Sequence, residues 1–238
     1  MAKPEVAISL GGNLINPEAG RVNKEYLHQF ATLSSELVNR GYSLIIACGG
    51  GATARANIEY GRKVLRIQAA EELDRIGIEA THLNTVALTH FLQEKGLKVS
   101  CLLESKILAE EADILTTGGD KPGHTTDFVT VKMAIEQGVK TPILNLTNGP
   151  VYERRPDGQP DFEKPVEKMT WEQYQKMFPL KHEPGINIPV DPAAAQLARE
   201  HHKTVVNLDG RDLNNIRNYL AGEDFIGTII SDEINTGF

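Results

Sequence analysis

The order of apolar and polar positions along the chain alternates between two periods. Continuous apolar runs at Val6–Leu10 and Ser43–Ala47 predict buried strands, whereas Asn23–Arg40 places its apolar residues on one helical face. Further strands are predicted at Lys98–Leu103, Ile114–Thr117, Pro142–Leu146, Thr204–Asn207 and Gly227–Ile230. Strands that alternate with helices predict an α/β protein with a mostly parallel central sheet covered on both faces.

Helices are predicted between and after these strands. One helix follows the glycines after the second strand and ends at about Arg62. The other predicted helices cover Asp74–Lys95, Ser105–Ala112, Thr126–Gln137, Thr170–Phe178, Ala193–His201 and Leu213–Ala221. The segment Tyr152–Lys168 has few apolar residues and three prolines, which predicts an irregular surface excursion. Because no long linker or internal repeat is found, we predict one domain over residues 1–238, with two lobes.

Composition narrows the class of protein. With 40% hydrophobic and 24% charged residues the chain is expected to be globular, and a net charge of −7 without a basic run argues against nucleic-acid binding. No apolar stretch approaches the ~20 residues of a membrane span. Two cysteines, Cys48 and Cys101, lie in or beside apolar runs, which favours free thiols in a reducing compartment. The protein is predicted to be cytoplasmic.

Glycines follow three of the predicted strands, at Gly11–Gly12, Gly49–Gly51 and Gly118–Gly119. Glycine permits positive φ and close approach to a ligand, so successive N–H groups can converge on a phosphate. Parallel strands bring these turns to one edge of the sheet. We therefore predict a phosphate site there. Arg55 follows the second turn and is either a phosphate clamp or an exposed helix arginine.

The segment Thr117–Asp127 is the richest in polar groups. Lys121 supplies a cation, and Thr126 either contacts a ligand or caps a helix, with Asp127 in its first turn. His124 is a ligand-binding residue, a base or a polar loop residue. The chain has no GxxxxGK[ST] motif and no GxGxxG opening a βαβ unit. Metal coordination by protein side chains is not predicted, because no second His or Cys lies at ligand spacing.

Five ordered motifs carry a family resemblance: SLGGN, CGGGATAR, LDRIGIEATHLN, GGDKPGHTTD and VDPAAAQLAR. Together they resemble the amino-acid-kinase superfamily, and within it the archaeal-type UMP (uridylate) kinase branch. The resemblance implies a three-layer αβα sandwich with an acceptor lobe at about 1–140 and a nucleotide-donor lobe at about 141–238. It also implies transfer of the ATP γ-phosphoryl group to UMP in pyrimidine nucleotide biosynthesis, Mg²⁺ bound with ATP, and a homo-oligomer, a hexamer in this branch.

The resemblance also implies roles for particular residues. The UMP site would comprise Gly50, Gly51, Arg55, Asp74, Gly77, Thr126 and Asp127. The ATP site would comprise Ser9, Thr147, Asn148 and Tyr152. The transfer step would involve Gly11, Gly12 and Asp191, and to these we add Lys121 as a cation on the phosphoryl path. Asp191 also precedes Pro192, which is the pattern of a helix N-cap, and the two roles are compatible.

Two departures from the family pattern concern the donor side. Ser9 stands where many members carry a lysine, a role that Lys121 could take. The loop from Thr147 to Tyr152 is one residue shorter than usual and contains Pro150, and Arg155 replaces an aspartate before Pro156. Two alternatives therefore stay open: a kinase with another acceptor, or a non-catalytic nucleotide- or oxyanion-binding protein similar to the molybdate/tungstate storage protein.

Overall fold

A computed structural model describes residues 5–103, 112–178 and 188–232. The strands are β1 (Glu5–Leu10), β2 (Ser43–Cys48), β3 (Val99–Cys101), β4 (Ile114–Thr117), β5 (Ile143–Thr147), β6 (Tyr152–Arg154), β7 (Pro160–Pro165), β8 (Lys168–Met169), β9 (Val205–Asp209) and β10 (Gly227–Ile230). The helices are α1 (Gly12–Ile15), α2 (Lys24–Asn39), α3 (Gly51–Lys63), α4 (Ala70–Glu94), α5 (Thr126–Glu136), α6 (Trp171–Met177), α7 (Pro192–Glu200) and α8 (Leu213–Ala221).

Eight strands form one sheet in the order β3-β4-β2-β1-β5-β9-β10-β8. The six strands from β3 to β9 pair in parallel, and β10 reverses the direction against β9. The register places Ser9 beside Asn145, and Asn145 beside Asn207. The mostly parallel sheet is confirmed, and because its strands are buried on both faces they read as apolar runs.

Helices cover both faces of the sheet. On one face, α2, α4 and α8 contribute Phe30, Leu88 and Ile216 to a buried cluster. On the other, α5, α6 and α7 contribute a second cluster that includes Trp171 and Ala194. Each face buries a continuous apolar layer, which supplies the main favourable term in folding. The predicted three-layer αβα sandwich is confirmed.

Several predicted elements need correction. The segment predicted as an irregular excursion contains the antiparallel hairpin of β6 and β7, and then the short strand β8. Polar side chains suit the hairpin because its β7 residues are mostly exposed, so it shows no apolar alternation. The four-residue helix α1 was not predicted. The N-cap of α5 is Thr125, not Thr126. The helix predicted at Ser105–Ala112 lies almost entirely outside the described residues.

Over the described ranges, no helix combines the length and the apolar character needed to cross a membrane.

Candidate functional site

The Gly11–Gly12 turn lies at the centre of the sheet edge where the parallel strands end. Gly11 donates its N–H to the Leu146 carbonyl at 2.9 Å, and a Cβ on Gly11 would lie 2.7 Å from that oxygen. A Cβ on Gly12 would lie 2.1 Å from the Gly51 nitrogen. The turn therefore touches the end of β5 on one side and the second glycine loop on the other, and no side chain fits at either position.

The second glycine loop opens helix α3 without a side-chain cap of its own. Gly51 has φ +63°, a conformation that favours glycine. Asn16 supplies the missing cap from outside the helix: its carbonyl accepts from the Ala52 N–H, and its Oδ1 accepts from the Thr53 N–H. These contacts fasten the segment after Gly12 to the start of α3, whose positive helix end then faces the junction of the two loops.

Arg55 lies one turn into α3 and is exposed. Its Nη2 donates to Asn13 Oδ1 at 2.6 Å. The side chain thus bridges from α3 to α1, next to both glycine turns. A guanidinium held in this way retains further N–H donors for an anion.

The third pair of glycines has a different surrounding. Gly119 donates its N–H to Thr81 Oγ1 at 2.7 Å, and its carbonyl contacts His82 Nε2 at 2.8 Å. A Cβ on Gly118 would lie 2.7 Å from Thr81 Oγ1. These glycines permit close packing of the β4 end against α4, and their main-chain groups are engaged by that helix.

A cavity of about 300 Å³ lies between α3, α4 and the segment after β4. It is lined by four of the predicted residues, Asp74, Gly77, Lys121 and Thr126, together with His124 and several apolar side chains. Asp74 Oδ2 accepts from the Gly123 N–H at 2.9 Å, which fixes the loop to α4. A Cβ on Gly49 would lie 3.3 Å from Thr126 Oγ1, so this cavity adjoins the second glycine loop.

One wall of this cavity is held by an ionic cluster that the sequence did not reveal. Asp120 contacts His124 Nδ1 at 2.6 Å and Lys132 Nζ at 3.0 Å. Burial acts to raise the pKa of Asp120, but hydrogen bonds from Lys132 and His124 outweigh it and hold the pKa below its usual value. The His124 ring also packs on Phe128, with ring centroids 4.1 Å apart. His124 is thereby positioned by two neighbours, Asp120 and Phe128.

Ser9, Asp127 and Asp191 meet beneath the Gly11–Gly12 turn. Ser9, only 2% exposed, donates its hydroxyl to Asp127 Oδ1 at 2.8 Å, and the Asp191 N–H donates to Asp127 Oδ2 at 3.1 Å. Burial raises the pKa of Asp127 to about 6, against these hydrogen bonds and with help from the nearby Asp191 charge. Asp191 Oδ1 caps α7 by accepting from the Ala193 and Ala194 N–H groups. Ser9 lines neither cavity.

A second cavity, of about 340 Å³, lies between the carboxyl end of β5 and the β6–β7 hairpin. It begins at the end of β5, where the predicted residues Thr147, Asn148 and Tyr152 line it, and extends to the β6–β7 hairpin. A Cβ on Gly11 would lie 3.8 Å from the Thr147 Cα. The Gly11–Gly12 turn therefore touches elements that line both cavities: the end of β5 and the start of α3.

The loop containing Pro150 is held by side chains from neighbouring strands. Gly149 has φ +117°, and its carbonyl accepts from Asn207 Nδ2 at 3.2 Å. Val151, the residue after the proline, donates its N–H to Thr228 Oγ1 at 2.8 Å. The loss of the Pro150 donor is thus accommodated, because the groups on either side of it are hydrogen-bonded.

The buried side-chain amides of Asn145 and Asn207 connect the Pro150 loop to strand β5. Asn145 Nδ2 donates to Asn207 Oδ1 at 2.8 Å and to the Pro189 carbonyl at 2.7 Å. Asn145 Oδ1 is buried and has no hydrogen-bond partner in the described part of the chain. This pair was not predicted from the sequence. The pattern that indicates it is one asparagine inside each of the apolar runs ILNLT and VVNLD, because buried polar side chains need hydrogen-bond partners.

The fold and site together define an α/β sandwich in which a glycine turn at the carboxyl edge of the sheet touches elements that line two cavities. The chain belongs to the amino acid kinase family, whose model matches residues 5–207.

Comparison with known proteins gives similar sequences and structures. The uridylate kinase of Thermoplasma volcanium is 30% identical over 238 residues, covering 96% of this chain and 98% of that protein. The uridylate kinase of Staphylothermus marinus is also 30% identical and covers 94% of this chain and 97% of its own length. The crystal structure of the uridylate kinase of Archaeoglobus fulgidus has a TM-score of 0.73, with 24% identity, over 96% of this chain and 100% of that one.

Proposed function

We propose that this protein transfers the γ-phosphoryl group of ATP to UMP, giving ADP and UDP. The observation that carries this proposal is the Gly11–Gly12 turn, which touches the elements lining two separate cavities. Two cavities that share one glycine turn suit a reaction in which a phosphoryl group passes from one nucleotide to another. The full-length similarity to proteins named uridylate kinase supports the choice of reaction.

The cavity beside α3 and α4 is assigned to UMP. Its phosphate would lie at Gly50, Gly51 and Arg55. Because Asn16 accepts from the Ala52 and Thr53 N–H groups, the donors would be the Gly50 and Gly51 N–H groups and the Arg55 guanidinium. The nucleoside would extend past Gly77 towards Asp74 and Thr126. Lys121 also lines this cavity, so it is placed to approach an acceptor phosphate. Asp127 does not line this cavity, so in this assignment it does not contact UMP and instead belongs to the cluster with Ser9 and Asp191 near the Gly11–Gly12 turn.

The cavity beside the hairpin is assigned to ATP, through Thr147, Asn148 and Tyr152. A Mg²⁺ ion bound with ATP would neutralise charge that develops on the phosphates. Of the residues present, Asp127 near the turn would supply a carboxylate to such an ion. In the described ranges no three His, Cys, Asp or Glu side chains are grouped to hold a metal, so the phosphates would provide the remaining ligands.

The protein's own contribution to the reaction is alignment and charge neutralisation. Gly12 admits phosphate oxygens close to the main chain, and Arg55 holds the acceptor phosphate in line. Ser9 and the Asp191 N–H fix the orientation of Asp127. The N-terminal end of α7, capped by Asp191, adds a helix dipole to the same region.

A coupled assay of ADP release tests this function directly. Purified protein is mixed with ATP, Mg²⁺ and, in turn, UMP, CMP, AMP and GMP. Release of ADP with UMP above the other acceptors supports the proposal. Release with a different acceptor identifies another kinase of the family. Binding of nucleotide or molybdate without turnover, seen as a rise in thermal stability, would instead show a binding or storage protein.

The same proposal covers the organisation of the protein. We propose one domain, with an acceptor lobe at about 1–140 and a donor lobe at about 141–238, because the single eight-stranded sheet crosses both. A homo-oligomer, a hexamer by resemblance, agrees with the exposed apolar side chains on and after α3 and on α4: Tyr60, Val64, Leu65, Leu83 and Val86. A cytoplasmic location agrees with the free thiols Cys48 and Cys101. Light scattering measures the subunit number.

A further inference from the structure

The β6–β7 hairpin brings an exposed aromatic side chain to the end of the second cavity. Phe162 lines this cavity and is 69% exposed. Its ring stands edge-on to Tyr152, with centroids 5.1 Å apart. An isolated exposed apolar residue requires no explanation, but this one forms part of a cavity wall with a second ring beside it.

The surroundings of Phe162 are chemically suited to a nucleobase. The described residues that line the cavity include no carboxylate, and they combine the rings of Tyr152, Phe162 and Phe178 with amide groups and one cation. That cation, Arg154, lies 4.7 Å above the Phe178 ring and donates to the Gly158 carbonyl at the hairpin turn. Aromatic faces stack on heterocyclic bases, and neighbouring amides can hydrogen-bond to their edges.

The position of the cavity orients its occupant. Its inner end, at Thr147, adjoins Gly11 and thus the region assigned to phosphoryl transfer. The hairpin forms the opposite end. A nucleotide with its phosphates near Gly11 would therefore extend its base towards Phe162.

We propose that Phe162 is a specificity residue that stacks on the base of the donor nucleotide and favours a purine over a pyrimidine. The inference rests on the proposed function for the identity of the donor. A purine presents two fused rings to the phenyl face and a pyrimidine only one, so the stacking area differs. The hairpin itself is held by main-chain bonds, such as the Arg155 N–H to the Gln159 carbonyl at 2.8 Å, so loss of the phenyl ring leaves its backbone in place.

Titration calorimetry of the full chain with ATP and with CTP tests this role. Phe162→Ala should raise the Kd of ATP about ten-fold, equivalent to about 1.4 kcal/mol, and raise the Kd of CTP less. Phe162→Trp should restore ATP affinity, since stacking requires a ring and not phenylalanine itself. Ile226→Ala is the matched control, because Ile226 is 68% exposed and lines neither cavity.

In the coupled assay, Phe162→Ala should raise KM for ATP and leave kcat unchanged. Unchanged ATP affinity in Phe162→Ala, or equal losses for ATP and CTP, would overturn the inference, as would a wild type that does not bind ATP. The titrations contain no acceptor, so they separate the two proposals. Phe162-dependent ATP binding without UMP turnover refutes only the proposed function, and UMP turnover with Phe162-independent binding refutes only this inference.

Discussion

Replacement of Arg55 by alanine tests the acceptor site. Arg55 is exposed, and its hydrogen bond to Asn13 lies on the surface. Its removal should therefore change the free energy of unfolding by no more than about 0.5 kcal/mol. A hydrogen bond from a guanidinium to phosphate contributes about 1.5 to 3 kcal/mol. The Kd of UMP should accordingly rise about 10- to 150-fold.

The assay is titration calorimetry with UMP, accompanied by thermal unfolding of each variant. Arg62→Ala is the matched control, since Arg62 is an exposed arginine in the last turn of the same helix. Asn13→Ala should weaken UMP binding less than Arg55→Ala, because it removes only the residue that orients the guanidinium. An Arg55→Ala protein that binds UMP as tightly as the wild type would refute the phosphate role of Arg55.

Three further predictions concern the centre of the site. The pKa of Asp127 rises from 3.8 to about 6 on folding. Asp127 therefore adds about 2 to 3 kcal/mol to the free energy of unfolding below pH 3.8, and this stabilisation is lost as the pH rises towards 6. Thermal unfolding from pH 4 to 7 should show this loss in the wild type but not in Asp127→Asn. Asn207→Ala leaves the Gly149 carbonyl without its side-chain donor and should cost about 1 to 3 kcal/mol in urea unfolding, while an unchanged midpoint would contradict the importance of this bond. Gly12→Ala places a Cβ 2.1 Å from the Gly51 nitrogen and should abolish tight UMP binding, measured by calorimetry; normal affinity would show that the two loops can separate freely.

The sequence predicted some features of the site better than others. Glycine turns at strand ends are recognisable locally, and the parallel order of the sheet brings Gly12 and Gly51 together as expected. Gly118 and Gly119 share the same local pattern, yet their neighbours are Thr81 and His82 of α4. The role of a glycine depends on which residues pack against it, and the sequence of the turn alone does not predict those residues.

Polar residues within buried strands show the same division. Asn145 and Asn207 are 62 positions apart, and only the pairing of β5 with β9 places them side by side. Ser9 and Asp127 are 118 positions apart and meet because α5 packs beneath the end of β1. Their burial predicts that each has a partner, but long-range packing decides which partner it is.

The sequence by itself determined the alternation of strands and helices, the sandwich architecture and the family, because periodicity, glycine turns and ordered motifs are properties of the chain. The tertiary structure decided that the Gly11–Gly12 turn touches elements that line two different cavities, that Asp127 shares a cluster with Ser9 and Asp191, and that a hairpin carries Phe162 to the wall of the second cavity. These features depend on distances between residues remote in the chain, and such distances are set only when the sheet and its two helical layers pack together.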